Sequence, residues 1–410
     1  MTTRTIFFAS LILFSLNSCT EKRSVNSKDT NFVEGLLYLD EEPVSIEIAD
    51  GRIAKIKHLS SGSDIPEVYI APGLIDIQIN GYMGIDFADQ DLKIEGIREA
   101  AKALWKEGVT SFLPTLITAD QESLKNSFSI LSKALDDEEI GMSIPGFHLE
   151  GPYISPVKGF RGAHLEKYIR EPDWNEFLEL QNAANNGIKL ITVAPEIEGA
   201  VSFIQKCSKD GIVVSLGHHN GTAKEIKEAT DAGASMSTHL GNGCANMINR
   251  HINPLWPQLA DDRLSASIIV DGFHLNREEV QCFYKIKGKN HTILVSDALD
   301  LAGLKPGEYI RWERKVVLTP NVVKFPAENV LAGAASPIRA CVGNMMKFTQ
   351  CSLSDAIQMA STNPAQLMGL DYIGEISEGK RADLILFTIE DGELVIQKTI
   401  VAGNVVYEKE

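Results

Sequence analysis

Across the middle of the chain, short apolar runs alternate with longer stretches in which apolar residues recur every three or four positions. The first pattern predicts strands buried on both faces, the second amphipathic helices. The expected strands are Leu74–Ile79, Ser111–Thr115, Ser143–Leu149, Lys189–Val193, Val213–Gly217, Ser235–Thr238, Ala266–Val270 and Thr292–Ser296. Helical periodicity falls over Ile94–Glu107, Gln121–Leu135, Trp174–Asn186, Val201–Asp210, Ala223–Ala232, Arg277–Lys287 and Ser336–Phe348. Strands that alternate with helices in this way predict an α/β fold, a (β/α)8 TIM-type barrel over residues 71–372, with right-handed crossovers.

The two ends of the chain have another texture. Residues 31–70 alternate apolar and polar positions between turn signals, as in Val44-Ser45-Ile46-Glu47-Ile48 before Asp50-Gly51. Residues 373–410 repeat it in Glu393-Leu394-Val395-Ile396 and Val401-Ala402-Gly403-Asn404-Val405. Both read as short antiparallel strands. They predict one small β-sandwich domain, split in sequence and joined in space.

The first residues carry one early arginine, a mostly apolar run from Thr5 to Leu16, and small residues before Cys19. The run is too short for a membrane span and fits a signal peptide over residues 1–19. Leu16-Asn17-Ser18-Cys19 resembles a bacterial lipobox, which makes Cys19 the lipidated first residue. The polar residues 20–30 read as a tether. The expectation is an exported lipoprotein in the periplasm or at the cell surface, touching membrane only through its lipid anchor. The alternative is a cytoplasmic protein. The remaining Cys207, Cys244, Cys282, Cys341 and Cys351 are odd in number, widely spaced and without a CxxC pair, which is no disulfide framework.

With 410 residues, the chain can bury a large core and still build a small second domain. Its net charge of −16 argues against a nucleic-acid partner and against docking on anionic lipid. An anionic substrate would need a local cationic pocket against that field.

Four of the expected barrel strands run into an acid or a histidine: Glu150, His218, His239 and Asp297. Singly, such a histidine is usually a hydrogen-bonded structural residue, and such an aspartate a helix N-cap. Together, at the mouth of one barrel, they point to a metal centre. A zinc-type catalytic site takes about three N/O ligands and keeps one position open. Glu150, His218 and His239 supply that set, and Asp297 would take the proton from the attacking water.

These residues sit in a series of short motifs. They include Ala71-Pro72-Gly73-Leu74-Ile75-Asp76, His148-Leu149-Glu150-Gly151-Pro152, Gly217-His218, Thr238-His239-Leu240, Asp271-Gly272-Phe273-His274, Ser296-Asp297-Ala298 and Leu331-Ala332-Gly333. As an ordered set, spanning roughly Leu36 to Val406, they resemble the amidohydrolase superfamily, and within it the N-acetylglucosamine-6-phosphate deacetylase family. Where most amidohydrolases end the first barrel strand in His-x-His, this chain has Gln78-Ile79-Asn80, and amides are poor zinc ligands. The resemblance therefore implies one divalent metal ion, zinc or iron, rather than two.

It further implies a small N-acetyl amino sugar as substrate and a homodimer. His164 would stabilise the developing oxyanion. Ala163, Asn242, Gly243 and His274 would contact the sugar, Arg250 would bind a phosphate, and Leu331, Ala332 and Gly333 would line the acetyl end. The chain departs from the family pattern in a long Glu150–His164 segment and in Gly241-Asn242-Gly243-Cys244. The expected reaction is deacetylation of N-acetylglucosamine 6-phosphate. Export conflicts with a sugar phosphate. It leaves open an amidohydrolase for an unphosphorylated N-acetyl sugar or another N-acyl compound. A lipid-anchored binding protein without catalysis is a further alternative, opposed by the joint presence of Glu150, His218, His239 and Asp297.

Overall fold

The computed structural model describes residues 31–60, 62–311, 314–320, 322–327 and 330–410. Cys19, the signal-peptide segment and the 20–30 tether lie outside the described residues.

The described chain opens with β1 (Asn31–Leu37), β2 (Pro43–Ala49), β3 (Arg52–His58) and β4 (Tyr69–Pro72). β5 (Leu74–Ile79) starts the barrel, and a short pair follows, β6 (Gly81–Tyr82) and β7 (Ile85–Asp86). The barrel then adds β8 (Val109–Ile117), β9 (Phe147–Glu150), β10 (Ile188–Val193), β11 (Val213–Leu216), β12 (Ala234–Ser237), β13 (Ser265–Ile268) and β14 (Thr292–Leu294). From β5 through β8 to β14, each strand pairs in parallel with the next. Main-chain bonds close the ring, from Asp297 N to the Gln78 carbonyl (2.9 Å) and from Asn80 N to the Ala298 carbonyl (2.8 Å). All eight lie where the apolar runs predict them, within a few residues.

The helices between them start on local signals. Asp120 and Asp173 cap the helices 121–131 and 174–183, and Thr222–Glu225 and Asn276–Glu279 form capping boxes before 223–231 and 277–287. Inside the barrel, Ile75, Ile77, Leu113, Leu190, Met236 and Ile293 form one apolar cluster. Alternate strand residues such as Leu74, Phe112 and Leu149 pack outward in the cluster shared with the helices.

Both chain ends meet in one seven-stranded sheet. β19 (Leu384–Glu390), β20 (Glu393–Val401) and β21 (Asn404–Glu408) join β1–β4 in the order β21-β20-β19-β4-β1-β2-β3. Before β19, an unforeseen four-stranded antiparallel sheet follows the last barrel strand: β15 (Gly307–Arg311), β16 (Arg314–Leu318), β17 (Val322–Phe325) and β18 (Val330–Ala334). It has its own small core of Val316, Leu318, Val323 and Phe325 against Leu299 and Leu301. The β-branched and aromatic residues Tyr309-Ile310, Val316-Val317 and Val322-Val323 were the available signal. This sheet brings Leu331–Gly333 to the barrel mouth.

Candidate active site

Glu150 is the last residue of β9, while His218, His239 and Asp297 follow β11, β12 and β14 by two to three residues. The last three adopt left-handed backbone conformations, with φ of 51°, 28° and 49°. Non-glycine residues take that conformation at a cost, and the surrounding structure must impose it. Here it turns each chain sharply at the strand end and brings the side chains inward.

Three ligand-type atoms converge. Glu150 Oε1 lies 3.1 Å from His218 Nε2 and 2.9 Å from His239 Nε2, and the two imidazole nitrogens are 3.1 Å apart. His218 Nδ1 donates to the Phe160 carbonyl at 3.0 Å. In the neutral ring, Nε2 is then a lone pair aimed at a carboxylate oxygen. Two acceptors facing each other at that distance call for a cation between them. A tetrahedral ion with ligand bonds of about 2.0–2.2 Å would set such atoms roughly 3.3–3.6 Å apart, a few tenths of an ångström wider than the triangle seen. A carbonyl holding the far nitrogen is also the usual support for a metal-binding histidine. The donor set fits a divalent ion.

His164 stands beside this trio. Its ligand atom lies within 4.8 Å of those of Glu150 and His218, and its ring centroid is 4.3 Å from that of His218. The tighter set remains Glu150, His218 and His239. His164 Nδ1 is bonded to Thr118 Oγ1 at 2.8 Å. Burial, and then His218, push His164 down to about 3, which keeps it neutral. Burial opposes charge on Glu150, but the neighbouring His218 and His239 outweigh it and hold that carboxyl well below the usual range. Burial, and then the Glu150 charge, raise Asp297 to about 6.

Glu150, His164, His218, His239 and Asp297 share one cavity of about 440 Å³. Ala163, Asn242, His274, Leu331, Ala332 and Gly333 line it as well. Asn242 Nδ2 is buried and has no partner among the described residues. His274 Nδ1 is 2.7 Å from Asp271 Oδ2, which orients the ring. Burial works against charge on Asp271, yet the His274 bond keeps its carboxyl below the usual range.

Two expected contacts fall elsewhere. Gly243 is not in the cavity wall. It packs behind the histidines, where a Cβ would stand 2.7 Å from His218 N and 3.2 Å from His239 Cε1. Arg250 is exposed on the loop after His239 and does not line the cavity of its own chain. A loop arginine gives no sign in sequence of which way it turns. The arginine that does reach the wall is Arg311, on β15, paired with Asp300 (2.6 Å) and Asp86 (3.1 Å). The sequence reading missed it together with its sheet. The long Glu150–His164 segment has a clear use: it carries the Phe160 carbonyl to His218, and Ser155 N bonds the His218 carbonyl at 2.9 Å.

The amidohydrolase family model matches residues 69–406. The N-acetylglucosamine-6-phosphate deacetylase of Lysinibacillus sphaericus is 31% identical over 377 residues, spanning 89% of this chain and 94% of that protein. The human protein of the same name is 31% identical over 388 residues, spanning 92% and 91%. The structure of N-acetylglucosamine-6-phosphate deacetylase from Thermotoga maritima matches with a TM-score of 0.82 at 32% identity, over 92% of this chain and 100% of that one.

These relatives overturn the expectation of an exported, lipid-anchored protein. They are named for a sugar phosphate, and a charged phosphate ester is held by the membrane of the compartment in which it is made. The export reading rested on the early arginine, the apolar run Thr5 to Leu16 and the Leu16-Asn17-Ser18-Cys19 sequence, against relatives matched along about nine-tenths of the chain. Among the described residues, no helix is long and apolar enough to cross a membrane. By the span of the family model and the identity of these relatives, the chain belongs to the amidohydrolase family, among the N-acetylglucosamine-6-phosphate deacetylases.

Proposed function

We propose that this protein hydrolyses the acetamide of N-acetylglucosamine 6-phosphate, releasing acetate and glucosamine 6-phosphate. The observation that carries this reading is the convergence of Glu150, His218 and His239 on one point of the cavity that also holds Asp297. Those three residues would hold one divalent ion, and zinc or iron suits two imidazoles and a carboxylate. When bound, such an ion polarises the amide carbonyl and makes water a stronger acid.

The chain's own groups do the rest. Asp297 takes the proton of the attacking water and returns it to the leaving amine. Its raised affinity for a proton suits both steps near neutral pH. The Thr118 hydroxyl holds Nδ1 of His164 and leaves Nε2 for the acetamide oxygen; in the tautomer with its proton on Nε2, the ring donates to that oxygen. Leu331, Ala332 and Gly333 enclose the acetyl group, and Asn242 holds the sugar. His274, backed by the Asp271 carboxylate, is the cavity's candidate for the 6-phosphate.

Acetate release should be fast from N-acetylglucosamine 6-phosphate and far slower from N-acetylglucosamine. Equal or faster turnover of the unphosphorylated sugar would sink the substrate assignment. Elemental analysis should find about one divalent ion per chain, and two tightly held ions would contradict the single site. His274→Ala should raise KM for the phosphorylated sugar by on the order of tenfold to a hundredfold, the range of a hydrogen bond to a charged group. Slow turnover of the unphosphorylated sugar should be unchanged. An equal loss on both would mean that His274 does not read the phosphate.

A further inference from the structure

We propose that Gln78 and Asn80 are positioning residues for Asp297, holding one of its carboxylate oxygens so that the other faces the reacting atoms. The inference rests on the reading of Asp297 as the base. Asn80 Nδ2 donates to Asp297 Oδ1 at 2.9 Å, and Gln78 Nε2 donates to the same oxygen at 3.3 Å. Gln78 Nε2 also donates to Glu150 Oε1 at 3.1 Å, so one amide bridges the two carboxylates. Ionised carboxylates only accept, so the NH2 ends of both amides must be the ends that face them.

The two amides are buried, at 1% and 5% exposure. The main chain holds the same residue from the same strand end, through Asp297 N to Gln78 O and Asn80 N to Ala298 O. Asp297 is in the left-handed region, a conformation that needs such restraint. A free carboxylate rotates in a broad two-fold well, which would exchange its oxygens. Two N–H donors on Oδ1 stop that exchange and leave Oδ2 as the oxygen that takes the proton. The amide between Glu150 and Asp297 also offsets the repulsion between them. The residues that make β5 a poor metal-binding strand thus become the clamp on the base.

The discriminating variant is Asn80→Asp, which keeps the shape and replaces a donor by an acceptor. A packing role would make it milder than Asn80→Ala. The clamp makes it more damaging, because it adds a like charge against Oδ1. Asn80→Ala should keep the thermal midpoint, both variants should keep the metal content, and KM should stay within about twofold. The kcat should fall by on the order of tenfold to a hundredfold in Asn80→Ala, the worth of a bond to a charged group, and further in Asn80→Asp. Wild-type kcat in Asn80→Asp overturns the clamp, as does a loss that lies in KM or follows metal content. If Asn80→Asp does not fold, Asn80→Ala and Gln78→Ala decide by the same split between kcat and KM. Asp297→Asn is assayed in parallel. Full turnover there removes the base and this role with it. An inactive Asp297→Asn beside a fully active Asn80→Asp overturns the clamp alone.

Discussion

Asp297→Asn is expected to fold normally, keep its metal and lose turnover by on the order of a hundredfold or more. The substitution is nearly isosteric. Its amide oxygen can still accept from Gln78 and Asn80, as Asp297 Oδ1 does. The left-handed backbone and its main-chain bonds to β5 do not depend on the side chain. What changes is the group facing the cavity, where an NH2 replaces the oxygen that would take a proton. Glu150, His218 and His239 are untouched, so metal content should match the wild type. The check is kcat with N-acetylglucosamine 6-phosphate beside elemental analysis of the same sample. Near-normal turnover in metal-loaded Asp297→Asn would remove this residue from the mechanism.

The second large effect concerns the ion itself. His239→Ala should purify with most of its metal gone and with acetate release near background. Its Nε2 is one corner of a triangle whose sides are 2.9–3.1 Å. Removing one corner leaves two ligands where a catalytic site needs about three. The ring is also only 3% exposed, so water fills the gap with less order than an imidazole had. His164→Ala is the informative contrast. His164 is close enough to be a ligand by distance alone. If it donates to the acetamide oxygen instead, the variant keeps its ion and loses kcat. A full complement of metal in His239→Ala, or its loss in His164→Ala, would redraw the ligand set.

Several site residues were legible because their signal is local. Glu150, His218, His239 and Asp297 each end an apolar run, and a run that stops at a chemically active residue can be read without knowing its neighbours. Leu331–Gly333, expected at the acetyl end, and the expected contacts Ala163, Asn242 and His274 came through the family resemblance, and the cavity wall contains all of them. Gly243 and Arg250 came by the same route and stand outside that wall. The difference is one of direction: a motif carries residue types and order, while the turn of a loop decides which side chain meets the cavity.

The barrel and the small end domain were determined by the sequence itself. Period two and period 3.6 are properties of a few consecutive residues, and burial of apolar faces leaves few ways to combine them. Even the helix starts at Thr222 and Asn276 are written in capping boxes. The Phe160 carbonyl that sets the tautomer of His218 lies 58 residues away along the chain. The amides that hold Asp297 lie more than 200 residues before it, and they meet it only because the barrel closes β5 onto the segment after β14. Arg311 reaches the cavity only because an inserted sheet folds over the mouth. Such contacts come from ring closure and loop packing, which join distant residues at no fixed spacing, so no local pattern could announce them.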